Sequence, residues 1–264
     1  MKILLTSGSS FISRNLLEQL DYKFEAPLHS ELEWLDDTDV KRFFKDKYFD
    51  VVVHTASIGG RIAALEDDYD IFEKNVQIFS NLIACEKHFT KLINIGSGAE
   101  YGKYDDISDV TEDFHRTPDD SYGKAKQVVS MVIEKTIKDM VNLRCFGVWG
   151  KYEKDNRFIP TLINQKEPTE IKDCLFSYCY IDDLVRIIDW FIQYPSKERI
   201  YNIGGVKIKL SEIAKKLGKE VKIIGTDKEY TCNDERLKKE LEFEYSDFDE
   251  CLKKYQLELL EAAI

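Results

Sequence analysis

Short apolar, β-branched runs alternate with amphipathic helical stretches from the first residues onward, and few folds accept that order. Lys2–Thr6 is apolar and ends in a Ser/Gly turn, and Phe11–Leu20 carries apolar residues at helical spacing. Phe24–Leu28 reads as a weak strand, Thr38–Lys47 as a helix with an Asp/Thr start, and Asp50–Thr55 as a buried strand. Asp68–His88 is a long helix, Lys91–Gly96 a strand, Tyr122–Lys138 a helix and Val141–Val148 a strand. Strands that are apolar throughout and separated by helices must be covered on both faces, which means a parallel sheet. The expected class is α/β, a doubly wound parallel sheet of Rossmann type.

After Gly150 the texture changes. Lys151–Pro160 is charged and loop-like, Thr161–Asp173 reads as helix then strand, and Tyr178–Tyr194 as a strand turning into an apolar helix. Lys207–Lys219 and Asp247–Ala262 read as further helices. Residues 1–150 are therefore expected to form a dinucleotide-binding domain, and 151–264 mainly a smaller substrate-binding cap. Part of 178–204 is expected to return to the main sheet.

Composition narrows the partners. A chain of 264 residues with 43% hydrophobic and 33% charged content can bury a full core. Its formal net charge of −11 argues against a nucleic-acid backbone or an anionic membrane as partner. Apolar runs such as Val51–Val53 are too short to span a bilayer, and the N-terminal segment reads as a buried strand rather than a signal peptide. The six cysteines include no CxxC pair and read as reduced thiols, so the expected compartment is the cytoplasm. His54, His88 and His115 form no pair with metal-ligand spacing, and no metal is expected.

Two segments carry chemistry. The turn after the first strand of an open parallel sheet is where a dinucleotide lies. Here it reads Thr6-Ser7-Gly8-Ser9-Ser10-Phe11-Ile12-Ser13, and the positions spaced as G-x-x-G-x-x-G are Ser7, Ser10 and Ser13. Only Gly8 remains, so alone the stretch reads equally well as a Ser-rich turn capping a helix. The second segment, Ser121-Tyr122-Gly123-Lys124-Ala125-Lys126, places Tyr122 and Lys126 four residues apart, on one face of a helix. A lysine ammonium beside a phenol favours the phenolate, the form that exchanges a proton. Two unrelated surface residues at this spacing would also be unremarkable without context.

The context is a resemblance to the extended short-chain dehydrogenases, the NAD-dependent epimerase/dehydratase type. The Ser-rich turn followed by Phe11-Ile12 resembles their TGGxGFIG start, and Gly96-Ser-Gly-Ala-Glu-Tyr-Gly102 resembles S-S-x-x-x-Y-G. Asp50–Ser57, Asn75 in N-V-x-x-x-x-N-L, and Leu143–Gly150 against L-R-x-x-N-x-Y-G follow in order. So do Tyr180–Leu184, Tyr201–Gly205 and Asn233–Leu237, so the likeness runs from Lys2 to about Tyr255. It implies that Ser97 bonds the substrate oxygen, that Tyr122 exchanges a proton with it, and that Lys126 also holds the nicotinamide ribose. The cofactor would meet Ser7, Gly8, Ser10, Phe11 and Ile12 in the turn. It would also meet Thr55, Ala56 and Ser57 beyond the third strand, and Asn75.

Glu31–Asp36 and Ile58-Gly-Gly-Arg61 most resemble the GDP-fucose synthase branch, which epimerises a 4-keto sugar and then reduces it with NADPH. The epimerising Cys and His of that branch fall on Ala99 and Arg157 here, and neither can act as an acid-base partner. The resemblance therefore implies an NAD(P)H-dependent reductase of a 4-keto sugar nucleotide, without epimerisation, and a homodimer. Substrate contacts would come from Arg61, Gly98, Ala99, Arg157 and Phe176. Phe176 and Glu229 stand where diphosphate-binding arginines are usual, and Lys166, Lys172 or Arg157 are the remaining cations. Pro27-Leu28-His29-Ser30 has no carboxylate until Glu31 and Arg14 could meet a phosphate, which leans to NADP(H) over NAD(H), with His29 and Ser30 beside the adenosine. Asp36 is either an adenine-side contact or the cap of the following helix. A 4-epimerase holding NAD tightly, and a non-catalytic protein that kept the fold, are the competing readings.

Overall fold

The computed structural model describes residues 1–59, 68–102, 106–164 and 168–262. Its core is a six-stranded, wholly parallel sheet built from β1 (Lys2–Leu5), β2 (Lys23–Glu25), β3 (Phe49–His54), β4 (Phe89–Ser97), β6 (Asp139–Cys145) and β10 (Ile200–Ile203). The order across the sheet is β10-β6-β4-β3-β1-β2. The chain leaves β1 for β2 on one side, then returns across it to β3 on the other. That reversal opens a crevice beyond the carboxyl ends of β1 and β3, where doubly wound sheets bind ligands.

Helices α1 (Phe11–Gln19) and α6 (Ile181–Gln193) pack on one face. The other face carries α3 (Asp68–Ile83) and α4 (Ser121–Lys135), which pack against each other, and α2 (Asp37–Phe44), which packs on α3. Separate apolar clusters lie on the two sides: Ile3, Leu5, Val51, Val53 and Ile93 in one, and Leu4, Val52 and Leu92 in the other. Alternate residues of each strand point to opposite faces. Both faces are covered, so the strands can be apolar throughout, as the sequence pattern predicts.

Residues beyond Gly150 contribute to both sheets. Of the 178–204 segment, α6 and β10 join the main sheet, whereas β9 (Leu175–Tyr180) belongs to a second sheet. That second sheet pairs β9 with β7 (Gly147–Trp149), β11 (Val206–Lys209) and β13 (Tyr230–Cys232), and β13 in turn with β5 (Ile107–Val110). The predicted strand over Val141–Val148 is thus two strands in different sheets. The segment 207–219, predicted as helix throughout, is strand up to Lys209 and then α7 (Leu210–Lys216). A small pair, β8 (Thr169–Asp173) with β12 (Val221–Thr226), and helices α5 (Phe158–Asn164), α8 (Glu235–Leu241) and α9 (Phe248–Ala262) complete the chain.

Candidate active site

The Ser-rich turn lies at the crevice. Ser10 caps α1: its Oγ accepts from the Ser13 amide at 3.3 Å and donates to Ser13 Oγ at 2.9 Å. Ser13 is fully buried and reaches Thr55 Oγ1, 2.8 Å away at the end of β3. A chain of three hydroxyls therefore ties the start of α1 to β3, where a glycine pattern would leave bare backbone. Gly8 is required for a different reason, because a Cβ there would lie 2.3 Å from the Ala26 carbonyl oxygen at the end of β2. The first turn of a helix leaves its amides without intrahelical acceptors, so the amides of Phe11 and Ile12 are ones that could hold a pyrophosphate.

The neighbouring loop is held from both sides. Thr6 Oγ1 accepts from the amides of Thr55 at 3.0 Å and Ala56 at 2.9 Å. Those bonds fill its lone pairs, so its hydrogen goes to His54 Nδ1, 3.0 Å away. His54 is buried in β3, and burial followed by the nearby Lys126 charge pushes its pKa down to about 3. Asn75 is also buried and spends its amide on the loop: Nδ2 donates to Ile58 O at 2.8 Å and Ile71 O at 2.7 Å, while Oδ1 accepts from the Ile58 amide. It shapes the Thr55–Ile58 segment through these bonds. Asp36 caps α2 through Oδ1, which accepts from Thr38 and Asp39, so the capping alternative holds for that oxygen. His29 and Ser30 are exposed beyond β2, and the Glu31 carboxylate folds back onto the Leu28 amide at 2.8 Å. Arg14 is exposed, with its guanidinium stacked 3.6 Å over the Tyr152 ring.

Ser97, Tyr122 and Lys126 come together at the carboxyl end of β4. Ser97 is the last residue of the strand and caps a 3-10 turn over Gly98–Tyr101, its Oγ accepting from the Ala99 amide at 3.2 Å. Tyr122 and Lys126 lie on the first turns of α4, whose start Asp120 caps by accepting from Gly123 N at 2.8 Å. The Lys126 ammonium is buried, donates to Ile95 O at 3.0 Å, and stands 5.7 Å from the Tyr122 ring centre. Gly123 sets the distance between helix and turn, since a Cβ on it would lie 2.5 Å from Ala99 O.

A buried polar network supports this centre from below. Glu100 accepts from the Ser97 amide at 3.1 Å, closing a reciprocal cap, and pairs with Arg144 at 2.7 Å. Arg144 also donates to Tyr101 Oη, Ser130 Oγ and Glu112 O, and Asn142 bridges Ser130 to Glu100. Glu100 is therefore committed to the protein interior, so it is not a free acid-base group beside Ser97.

The residues expected on the substrate side come from several elements. Arg61 and Lys166 lie outside the described residues. Arg157 sits before α5 with Nη2 3.3 Å from Val148 O and Nε 3.9 Å from Glu153. Glu229 accepts from Ser108 Oγ at 2.7 Å, and Lys172 is exposed on β8. Phe176 packs tilted against Tyr230 with ring centres 4.8 Å apart, and Phe146 lies equally close to Tyr230. Gly147, in the place of the asparagine of L-R-x-x-N-x-Y-G, is packed so closely that a Cβ would stand 2.6 Å from Ser177 O and 3.1 Å from Phe176. Phe146, Tyr230 and Phe176 thus form an aromatic wall, with Phe146 and Tyr230 beside Gly98. Sequence reasoning did not find Tyr230, which reaches the centre only through long-range strand pairing, nor Asp120, although an Asp before a helical run signals a cap.

The sheet with its reversal crevice and the Ser-Tyr-Lys cluster define a dinucleotide-binding protein of the Rossmann type. Residues 3–204 match the model of the NAD dependent epimerase/dehydratase family, and the chain belongs to that family of NAD(P)-dependent, oxidoreductase-type enzymes. Over 259 residues it is 26% identical to the GDP-L-colitose synthase of Yersinia pseudotuberculosis, covering 86% of this chain and 84% of that protein. The UDP-glucose 4-epimerase of Thermotoga maritima superposes with a TM-score of 0.87 at 19% identity, covering 100% of both chains. A GDP-mannoheptose C4 reductase from Campylobacter jejuni with NADP bound gives 0.82 at 18% identity, covering 98% of each. No helix among the described residues is long and apolar enough to cross a membrane.

Proposed function

We propose that this enzyme reduces the ketone of a 4-keto sugar nucleotide and leaves the neighbouring carbons untouched. The observation that carries the reading is the convergence of Ser97, Tyr122 and Lys126 around a turn whose other side chains are Ala99, a committed Glu100 and a Tyr101 bonded to Asn202 and Arg144. Ser97 and Tyr122 would hold the carbonyl oxygen between two hydroxyls, and Tyr122 would deliver the proton as the oxygen gains charge. The Lys126 ammonium, which donates to Ile95 O, stands 5.7 Å from the centre of the Tyr122 ring. A nicotinamide held at this centre would supply the hydride. Epimerisation at the carbons flanking the ketone, or dehydration, needs a second acid-base group beside those carbons, and alanine at position 99 carries no proton.

NADPH is the proposed cofactor, on the strength of the exposed Arg14 one turn into α1. The nucleotide belongs to the GDP-linked class, in line with the colitose synthase relative. The test is reduction of a GDP-linked 4-keto-6-deoxyhexose by the purified protein in deuterated water, with NADPH and NADH compared. One reduced product without deuterium on the carbons flanking the former ketone is expected. Deuterium there above the spontaneous rate would overturn reduction without epimerisation. Interconversion of C4 epimers with no added cofactor would establish the epimerase instead.

A further inference from the structure

The Arg14 guanidinium lies 3.6 Å over the Tyr152 ring, and none of its N–H donors goes to a described residue. Glu18 stands four residues further along α1, the spacing at which an arginine and a carboxylate ordinarily pair. Here both Glu18 oxygens are taken by the loop after β7. Lys151 Nζ holds Oε1, and Tyr152 Oη donates to Oε2 at 2.7 Å. The buried Asn15 fixes the same loop from a third side, its Nδ2 donating to Lys151 O at 2.8 Å. Tyr152 takes this place with φ at +73°, a left-handed conformation that tyrosine rarely adopts. Strain of this kind persists only where the surroundings over-determine it.

Stacking uses the flat face of a guanidinium and leaves the donors in its plane free. Lys151 neutralises Glu18, so no unpaired carboxylate stands one turn away to repel an anion. Arg14 is thus held by contacts that consume neither its charge nor its donors, on the first turn of the helix that starts at the crevice. A side chain fixed in advance is spared the ordering cost that a free arginine meets on binding. We propose that Tyr152 is a positioning residue that holds Arg14 ready for a phosphate of the dinucleotide. The inference rests on the NADPH reading of the cofactor. The 2′-phosphate and the pyrophosphate offer Arg14 the same chemistry, and comparing NADPH with NADH tells them apart.

Tyr152→Asn removes the ring, and asparagine readily accepts a positive φ, so the loop should keep its path. Titration of the purified protein with NADPH and with NADH, read by nicotinamide fluorescence, gives the dissociation constants. Arg14→Gln should raise the NADPH constant roughly 10- to 100-fold, as for a lost hydrogen bond to a charged group. Tyr152→Asn should raise it about 2- to 10-fold, the ordering cost of one long side chain. In an Arg14→Gln background, Tyr152→Asn should cause no further loss, because a group that acts through Arg14 then has nothing to position. Losses confined to NADPH identify the 2′-phosphate. Equal losses with NADH identify the pyrophosphate, and end the NADPH preference while the inference stands. Unchanged NADPH affinity in either single variant, or a Tyr152→Asn loss that persists undiminished in the Arg14→Gln background, overturns it. Because the readout is binding, a protein that shows the expected pattern yet reduces no keto sugar would fail the reductase reading alone.

Discussion

At the scale of single residues, the centre works only if Tyr122 exchanges the proton. Tyr122→Phe keeps the ring on α4 and deletes the hydroxyl, so turnover should drop by roughly 10²–10⁴-fold, the range for general acid-base groups. Cofactor affinity, read by nicotinamide fluorescence during titration, should be unchanged; retention of parental turnover would refute the assignment. The serines of the turn show how far residue types alone lead. Three serines in a glycine pattern leave open whether each is bulk, cap or ligand. The structure gives Ser10 to the helix cap, a short-range role a sequence can suggest, and Ser13 to Thr55, a partner it cannot. The Ser13 bond crosses 42 residues of chain.

At the scale of elements, the position of α4 against the turn after β4 fixes the whole centre, and Gly123 is the contact that sets it. Alanine is favoured over glycine inside a helix by about 1 kcal/mol. Here that gain is opposed by a Cβ 2.5 Å from Ala99 O, against backbone that cannot rotate away. Overpacking of this kind costs about 1–3 kcal/mol, so the clash wins. Gly123→Ala should lower stability in urea unfolding and depress turnover by displacing Tyr122 from Ser97; a stabilised, fully active variant would contradict the geometry. The alternation of strands and helices up to β6 was legible because those strands are buried on both faces and the helices between them are long and periodic. The second sheet was not. Its strands run three to six residues, and β5, β7, β9, β11 and β13 come from segments far apart in the chain. Val141–Val148 reads as one apolar run, yet the chain leaves the main sheet at Phe146, and no local signal marks the change. Tyr230 was invisible for the same reason, since only pairing with Phe176 and Ile107 brings it to Gly98.

At the scale of the molecule, two buried groups oppose each other in the pH dependence of folding. His54 is held neutral, with a folded pKa of about 3 against an ordinary value of 6.5. Between those values the unfolded chain binds more protons, so stability falls as pH drops from 6.5 towards 3. Glu153 behaves in the opposite sense. Its side chain is only 3% exposed, and burial raises its pKa to about 7 from 4.5, against Arg157, the Gly150 amide and Tyr255. Between 4.5 and 7 the folded state binds more protons, so stability falls as pH rises through that window. Each group alone changes stability by at most about 1.4 kcal/mol per pH unit. From pH 4.5 to 6.5 the two slopes cancel, and below 4.5 His54 acts alone, joined by carboxylates such as Glu25, whose paired lysines hold its pKa down despite burial. Urea unfolding as a function of pH should therefore show a flat region between about 4.5 and 6.5, falling away on the acid side. The variants separate the contributions. His54→Asn places an amide oxygen where Nδ1 receives the Thr6 hydroxyl, and relative to the parent it should gain stability as pH falls below 6.5. Glu153→Gln should gain relative to the parent as pH rises from 4.5 to 7, because the cost of ionising a buried carboxyl disappears. A parallel pH profile for either variant and the parent would mean that the group in question does not titrate differently in the folded chain.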